Sequence, residues 1–160
     1  MNGDFFVNIE GIKIKECERN CDERGWVFEF FRQDELTEDI YPVMATATVT
    51  RPNTSRGPHE HRQMTENITF TGKVPYKLYF WDNRMESLTY NQDTTLLIPE
   101  GKIVNLVIPA GVVFAYKNIG RKDGLVFNCP NKLFKGKGYR DEEDTIRHES
   151  NPNSPYKIDG

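Results

Sequence analysis

An all-β fold, a sandwich or closed barrel of short antiparallel strands, is what this sequence predicts. Short runs rich in Val, Ile, Phe, Tyr and Thr recur along the chain. Gly and Pro stand between them at close, regular spacing, and a helical period is scarce. A chain of 160 residues suits one domain and can bury a sizeable core. That domain is expected over residues 1–150. Residues 151–160, rich in Pro, Asn and Ser, read as a C-terminal tail packed at the surface through Tyr156 and Ile158.

The elements follow in order. Gly25–Phe31 is aromatic and reads as extended. Met44–Thr50 alternates with a period near two, as a strand with one buried face does. The segment holding His59 and His61 reads as a strand. Asn67–Thr71, Tyr76–Trp81, Thr94–Ile98, Lys102–Ile108, Val112–Tyr116 and Gly124–Asn128 are further strands. Pro52-Asn53, Gly72-Lys73, Asp82-Asn83, Pro99-Glu100-Gly101, Pro109-Ala110-Gly111 and Ile119-Gly120 supply the turns between them. Asp141–His148 is the best candidate for a short helical turn. Trp26, Phe28, Phe30 and Phe31 read as core or subunit-interface aromatics rather than a stacking platform.

Charge and cysteine usage narrow the function classes. Lys and Arg total 21 against 24 Asp and Glu, a net charge of -3. A nucleic-acid binder would show a basic excess, so no such partner is expected. No apolar run approaches the roughly 18 residues of a membrane span, and Met1–Glu10 has no basic flank or apolar core of a signal peptide. Three cysteines, Cys17, Cys21 and Cys129, make an odd count. A disulfide framework is therefore not expected, and a reducing cytoplasm fits. The Cys17–Cys21 spacing lacks the paired C-x2-C sets of a zinc site.

The chemistry-bearing residues gather in Pro58-His59-Glu60-His61 followed by Glu66 and Gly72. Alternation on a strand sends His59 and His61 to one face. Two imidazoles and a carboxylate converging inside a barrel are also a divalent-metal set. A second segment carries Gly101, Pro109-Ala110-Gly111, Phe114 and Asn118. Pro and Gly mark a sharp corner there, and Asn118 suits the next turn.

Together the two segments resemble the conserved blocks of the cupin superfamily, with Phe114 where the second block usually has a histidine. Asp22-Glu23-Arg24-Gly25-Trp26-Val27-Phe28-Glu29 resembles the opening D-x-R-G-x-x-x-E block of the nucleotide-sugar 3,5-epimerases, the dTDP-4-dehydrorhamnose 3,5-epimerase family. Arg56-Gly57-Pro58-His59 is similar to its R-G-L-H. The run from Gly72 to Arg84 resembles its G-x-V-x-D-V-x-V-D-x-R strand, Ser87–Tyr90 its S-x-T-[FY], and Ile108–Gly111 its I-P-x-G. The likeness runs from about Ile9 to about Pro152.

The resemblance implies a cupin-type antiparallel β-barrel, a jelly roll, without a cofactor. It implies epimerisation of a 4-keto-6-deoxyhexose on a nucleoside diphosphate. The ketone acidifies the neighbouring C–H bonds, a histidine removes the proton, and a tyrosine on the opposite face returns one. His59 is the implied base, with Glu149, or else Asp144, as its carboxylate partner. Arg56 and His61 are implied in substrate binding. Arg24 and Glu29 are implied there too, across the interface of a homodimer. The family's tyrosine aligns with Phe127 and its lysine with Thr65. Tyr116, Tyr79 or Tyr139 is then the replacement phenol, and single-site epimerisation or ketoisomerisation is as reasonable as the double reaction. Two further readings are a metal-dependent cupin using His59, His61 and Glu66, and a sugar- or nucleotide-binding cupin without chemistry.

Overall fold

The computed structural model describes residues 5–159. Residues 1–4 and 160, which the expected domain and tail included, lie outside them. Among the described residues twelve strands are formed: β1 (Lys13–Glu16), β2 (Asn20–Asp22), β3 (Gly25–Val27), β4 (Thr46–Thr50), β5 (Ser55–His61), β6 (Glu66–Phe70), β7 (Tyr76–Asp82), β8 (Asp93–Ile98), β9 (Val104–Ile108), β10 (Val112–Asn118), β11 (Gly124–Asn128) and β12 (Thr145–Arg147). One five-stranded sheet has the order β1-β9-β6-β11-β4 and the other β12-β5-β10-β7-β8. Every pairing is antiparallel, and the two sheets close on one core. This is the all-β, jelly-roll architecture expected.

Alternation decides which side chains meet inside. Ile68 and Phe70 from β6, Val104, Leu106 and Ile108 from β9, and Val126 from β11 face Tyr76, Leu78 and Phe80 from β7 and Phe114 and Tyr116 from β10. Phe70, Tyr76 and Tyr116 meet edge to face in the core, with centroids 4.8–5.9 Å apart. Each such buried ring contributes about 1.5–3 kcal/mol through burial. Two glycines let backbones close up. A Cβ on Gly57 would sit 2.4 Å from the Phe114 carbonyl oxygen, and its φ is +80°. A Cβ on Gly124 would sit 2.0 Å from the Tyr76 hydroxyl.

Several motif residues hold the frame. Asp82 is buried and accepts from Arg84 Nε (2.8 Å), Ser87 Oγ (2.6 Å) and Thr89 Oγ1 (2.6 Å). Burial alone would raise its carboxyl, but these donors hold it well below the usual carboxylate range. The D-x-R and S-x-T stretches thus lock the β7–β8 connection. Asn118 does what its turn position implied: its amide donates to the Thr50 and Lys122 carbonyls at 2.8 Å each.

Two local expectations are corrected. Gly25–Phe31 is a strand only to Val27, in a separate hairpin with β2. Beyond it Phe28 and Phe30 form an aromatic chain from Trp26 to Phe127, with centroids 5.5, 5.0 and 4.8 Å apart. These rings dock the segment on the outer face of the first sheet instead of extending a strand. Asp141–His148 is not a helical turn. Four consecutive acids repel one another, and Thr145-Ile146-Arg147 instead adds to the free edge of β5. A 3-10 turn over His148–Ser150 follows. β1, for which the sequence offers no strand signal, pairs with β9 though three of its four residues are charged, because Ile14 alone needs to face the core.

The C-terminal residues lie against the second sheet. Ser154 is buried, Tyr156 leans on Trp81 at 5.6 Å, and Lys77 pairs with Asp159.

Candidate functional site

Between the sheets, reaching in as far as Tyr116, lies a cavity of about 950 Å³. The alternation of β5 sends His59 and His61 into it and Glu60 to the outer face. Glu66, first residue of β6, reaches in from the facing sheet. His59 Nε2 lies 4.0 Å and His61 Nε2 3.6 Å from Glu66 Oε1. These are ion-pair rather than hydrogen-bond distances. Asn128 Nδ2 donates to the same oxygen at 2.9 Å. Behind His61, Asp144 Oδ2 stands 3.4 Å from Nδ1.

The charges tune one another. Burial would push the Glu66 carboxyl up; the two imidazoles outweigh it and hold the group well below the usual carboxylate range. Burial would push His61 down, but Glu66 and Asp144 together raise it above the ordinary histidine value. Glu66 is therefore a carboxylate at neutral pH and serves as the electrostatic hub of the site. It is not a proton donor.

Arginines stand at the cavity wall and at its mouth. Arg56 lines the wall from β5 and donates from Nη2 to the Val49 carbonyl at 2.9 Å. Arg147 and Glu149 come from β12 and the turn after it, with Arg147 Nη1 3.7 Å from Glu149 Oε1. In the β12–β5 register Arg147 lies opposite His59 and Thr145 opposite His61. Met44, Met64, Leu133 and Phe134 supply an apolar side.

The structure thus brings His59, His61, Arg56 and Glu149 to one cavity. Asp144 sits just behind it, where its carboxylate also accepts from the Gln63 and Met64 backbone amides (3.1 and 3.0 Å) and shapes the β5–β6 turn. The carboxylate beside His59 is Glu66, and neither Glu149 nor Asp144 takes that place. Glu149 lies beyond the end of β12 and turns to Arg147, and Asp144 turns to His61. Arg24 and Glu29 are not at the cavity of their own chain: Arg24 is exposed and pairs with Asp22, and Glu29 is exposed and pairs with Arg32.

The phenols divide cleanly. Phe127 faces away from the cavity onto Phe30 at 4.8 Å, and the inward positions of β11 are Val126 and Asn128. Tyr79 faces outward, stacked on Trp81 at 6.1 Å. Of the seven tyrosines, Tyr116 and Tyr139 line the cavity. Tyr116 sits on rigid β10, where the Thr50 hydroxyl lies 3.5 Å from its own; burial raises its phenol above the ordinary value. Tyr139 comes from the loop at the mouth and is exposed. Sequence reasoning had no role for Asn128 or Arg147. Each is two residues from another inward side chain, Val126 and Thr145, so the phase of β11 and β12 was the available signal.

His59, His61 and Glu66 also meet the requirements of a cation site. Their ligand atoms all lie within 4.8 Å of one another. The set fits a divalent first-row ion with open positions. Phe114, cross-strand from His59 and also on the cavity wall, has no lone pair to add to this set.

Comparison with known proteins places this geometry. A family model described as dTDP-4-dehydrorhamnose 3,5-epimerase matches residues 7–150. The chain is 29% identical over 129 residues to "Probable low-salt glycan biosynthesis epimerase Agl13" of Haloferax volcanii, covering 79% of this chain and 81% of that protein. It is 28% identical over 113 residues to the spore coat polysaccharide biosynthesis protein SpsL of Bacillus subtilis, covering 70% and 73%. Among solved structures, a dTDP sugar isomerase from Desulfovibrio desulfuricans superposes with a TM-score of 0.77 at 19% identity, over 93% of this chain and 91% of that one. ChmJ, a 3'-monoepimerase from Streptomyces bikiniensis solved with dTDP-quinovose, gives 0.73 at 15% identity, over 88% and 71%. These structural likenesses carry the fold. With the match over residues 7–150, the chain belongs to the dTDP-4-dehydrorhamnose 3,5-epimerase family, and is by class a sugar-nucleotide epimerase.

Proposed function

We propose that this protein epimerises a 4-keto-6-deoxyhexose carried on a nucleoside diphosphate, with His59 as the base. The observation that carries the reading is His59 on the inner wall of one cavity that also holds Arg56 and Arg147. A volume of about 950 Å³ is enough for a nucleotide sugar. The arginines suit a diphosphate through charge-assisted, bidentate contacts.

The chemistry follows from the residues. The C–H beside the ketone loses its proton to the neutral imidazole of His59, and the electron pair moves onto the ketone oxygen as an enolate. Glu66 stabilises the imidazolium that results, as a nearby carboxylate does for a charged ring. A cavity phenol, Tyr116 or Tyr139, then gives a proton to the carbon, and solvent restores both groups. Tyr116 is suited because burial keeps it protonated. Rhamnose-type sugar, deoxythymidine carrier, and one carbon or two are the finer parts of the proposal.

Deuterium exchange tests it. The protein is incubated in heavy water with a dTDP-4-keto-6-deoxyhexose, and C3 and C5 are followed by NMR. Label at both carbons, lost in His59→Asn, supports a 3,5-epimerase. Label at one supports a single-site enzyme. No label with the wild type removes His59 as a base for this substrate.

The metal reading is favoured by the His59, His61 and Glu66 cluster. An ion bound there would polarise the ketone oxygen. Metal analysis of the purified protein separates the two readings: one equivalent of a divalent ion, lost in Glu66→Ala, favours the metal. We further propose that the protein works as a homodimer in which Arg24 and Glu29 reach the nucleotide in a second copy's cavity. A reducing, cytoplasmic setting suits its free cysteines.

A further inference from the structure

On the outer face of β5, opposite the catalytic cavity, sits a buried ionisable pair that the proposed reaction does not use. Glu60, between His59 and His61, is only 6% exposed. Its Oε1 accepts from Asn83 Nδ2 at 2.9 Å and lies 2.8 Å from His148 Nε2. Asn83 directly follows β7, and its backbone amide reaches the Gly111 carbonyl at 3.2 Å. His148 opens the turn directly after β12, and its ring stands edge-on to Tyr156 at 4.6 Å. One carboxylate oxygen thus joins β5, the β7 corner and the C-terminal segment.

The consequence lies on the other side of the sheet. The residues flanking His148, Arg147 and Glu149, line the cavity mouth. β12 is a three-residue edge strand. So short a strand gains little from its own ladder and depends on what fixes its ends. The carboxylate that His148 meets belongs to the same strand that carries His59 and His61.

We propose that Glu60 and His148 are positioning residues: from outside the cavity they fix β12 against β5, and so set Arg147, with Glu149 beside it, at the mouth where the arginine meets the substrate's phosphates. The part concerning phosphates rests on the function proposed above.

The test uses the full chain, with dTDP as the probe, and reads binding by calorimetry and amide exchange over residues 145–149. His148→Leu removes the contact, and His148→Gln keeps a donor for Glu60. The expected result is at least fivefold weaker dTDP binding and faster exchange at 145–149 for His148→Leu. In His148→Gln both return to within about twofold of the wild type. Wild-type dTDP affinity in His148→Leu overturns the proposal. So does an equal loss in both variants, which would mark His148 as packing alone. If the wild type itself ignores dTDP, the nucleotide reading falls. The pair is then judged on exchange: faster exchange in His148→Leu alone sustains it, and unchanged exchange overturns it.

Discussion

At the residue scale the site is governed by which charge faces which ring. His59→Asn keeps the shape of the wall and removes the base. Substrate-derived proton exchange is expected to fall by about 10²–10⁴, with dTDP binding within about twofold of the wild type, as calorimetry would show. The phenols separate in a different assay. Replacing the acid by Phe spares exchange, because His59 still removes the proton, but slows inversion by at least about tenfold. Comparing exchange with product formation in Tyr116→Phe and Tyr139→Phe names the donor, and loss of exchange in both would count against a separate acid. The Glu66 cluster sets a pH dependence of stability. Glu66 is depressed on folding, so its contribution is present above its ordinary value of 4.5 and fades as pH falls below it. His61 is raised, so its contribution is complete below its ordinary 6.5 and is lost as pH rises through the higher folded value. The cluster therefore stabilises most between those two values. A thermal melt series from about pH 2 to 9, which reaches the loss of Glu66 on one side and of His61 on the other, should show that both slopes shrink in Glu66→Gln.

At the element scale, strand β5 is the part the site depends on. It lies between β12 and β10, and its register shifts between the partners of Phe114 and Tyr116. Gly57 stands at that irregularity, with the Phe114 carbonyl where its Cβ would be. Gly57→Ala is expected to cost at least about 2 kcal/mol, from a strained positive φ and the backbone clash, and to lower activity with it. Chemical denaturation measures the first, and an unchanged midpoint would show that the strands can part without cost. The same element shows what sequence can tell. The His59 and His61 pair was legible, because period two needs no partner strand. Tyr76–Trp81 and Val112–Tyr116 were legible because apolar density and flanking turns mark a core strand. The inward phase of β11 was not, since Leu125, Val126 and Phe127 offer apolar side chains to both faces and only the pairing with β6 chooses. Nor was β12, whose strand character comes from the open edge of β5 and is masked in sequence by the four acids just before it.

At the scale of the whole molecule, the β2–β3 hairpin is the part that a single chain leaves unexplained. It pairs with neither large sheet. Trp26 is 52% and Val27 64% exposed. A lone two-stranded hairpin is marginal in water. Among the described residues its support is the ring chain from Trp26 through Phe28 and Phe30 to Phe127, the Arg19 guanidinium 4.9 Å from the indole, and the Asp22–Arg24 pair at its turn. Apolar side chains held out on such an arm gain most by burial on another surface, and a second copy supplies one of fixed shape. Arg24 sits at the tip of this arm, between the paired Asp22 and Gly25. A dimer built through the hairpin would therefore carry Arg24 away from its own barrel and toward another. Sedimentation equilibrium should find a dimer for the wild type, and the pair Trp26→Ser with Val27→Ser should shift it to monomer. If the arm completes the site, the monomeric variant loses dTDP affinity at least tenfold, with the melting behaviour of the barrel little changed, because neither side chain belongs to the core. A monomeric variant that binds and turns over as well as the wild type would confine the site to one chain and remove Arg24 and Glu29 from it. The diphosphate would then rest on Arg56 and Arg147 alone.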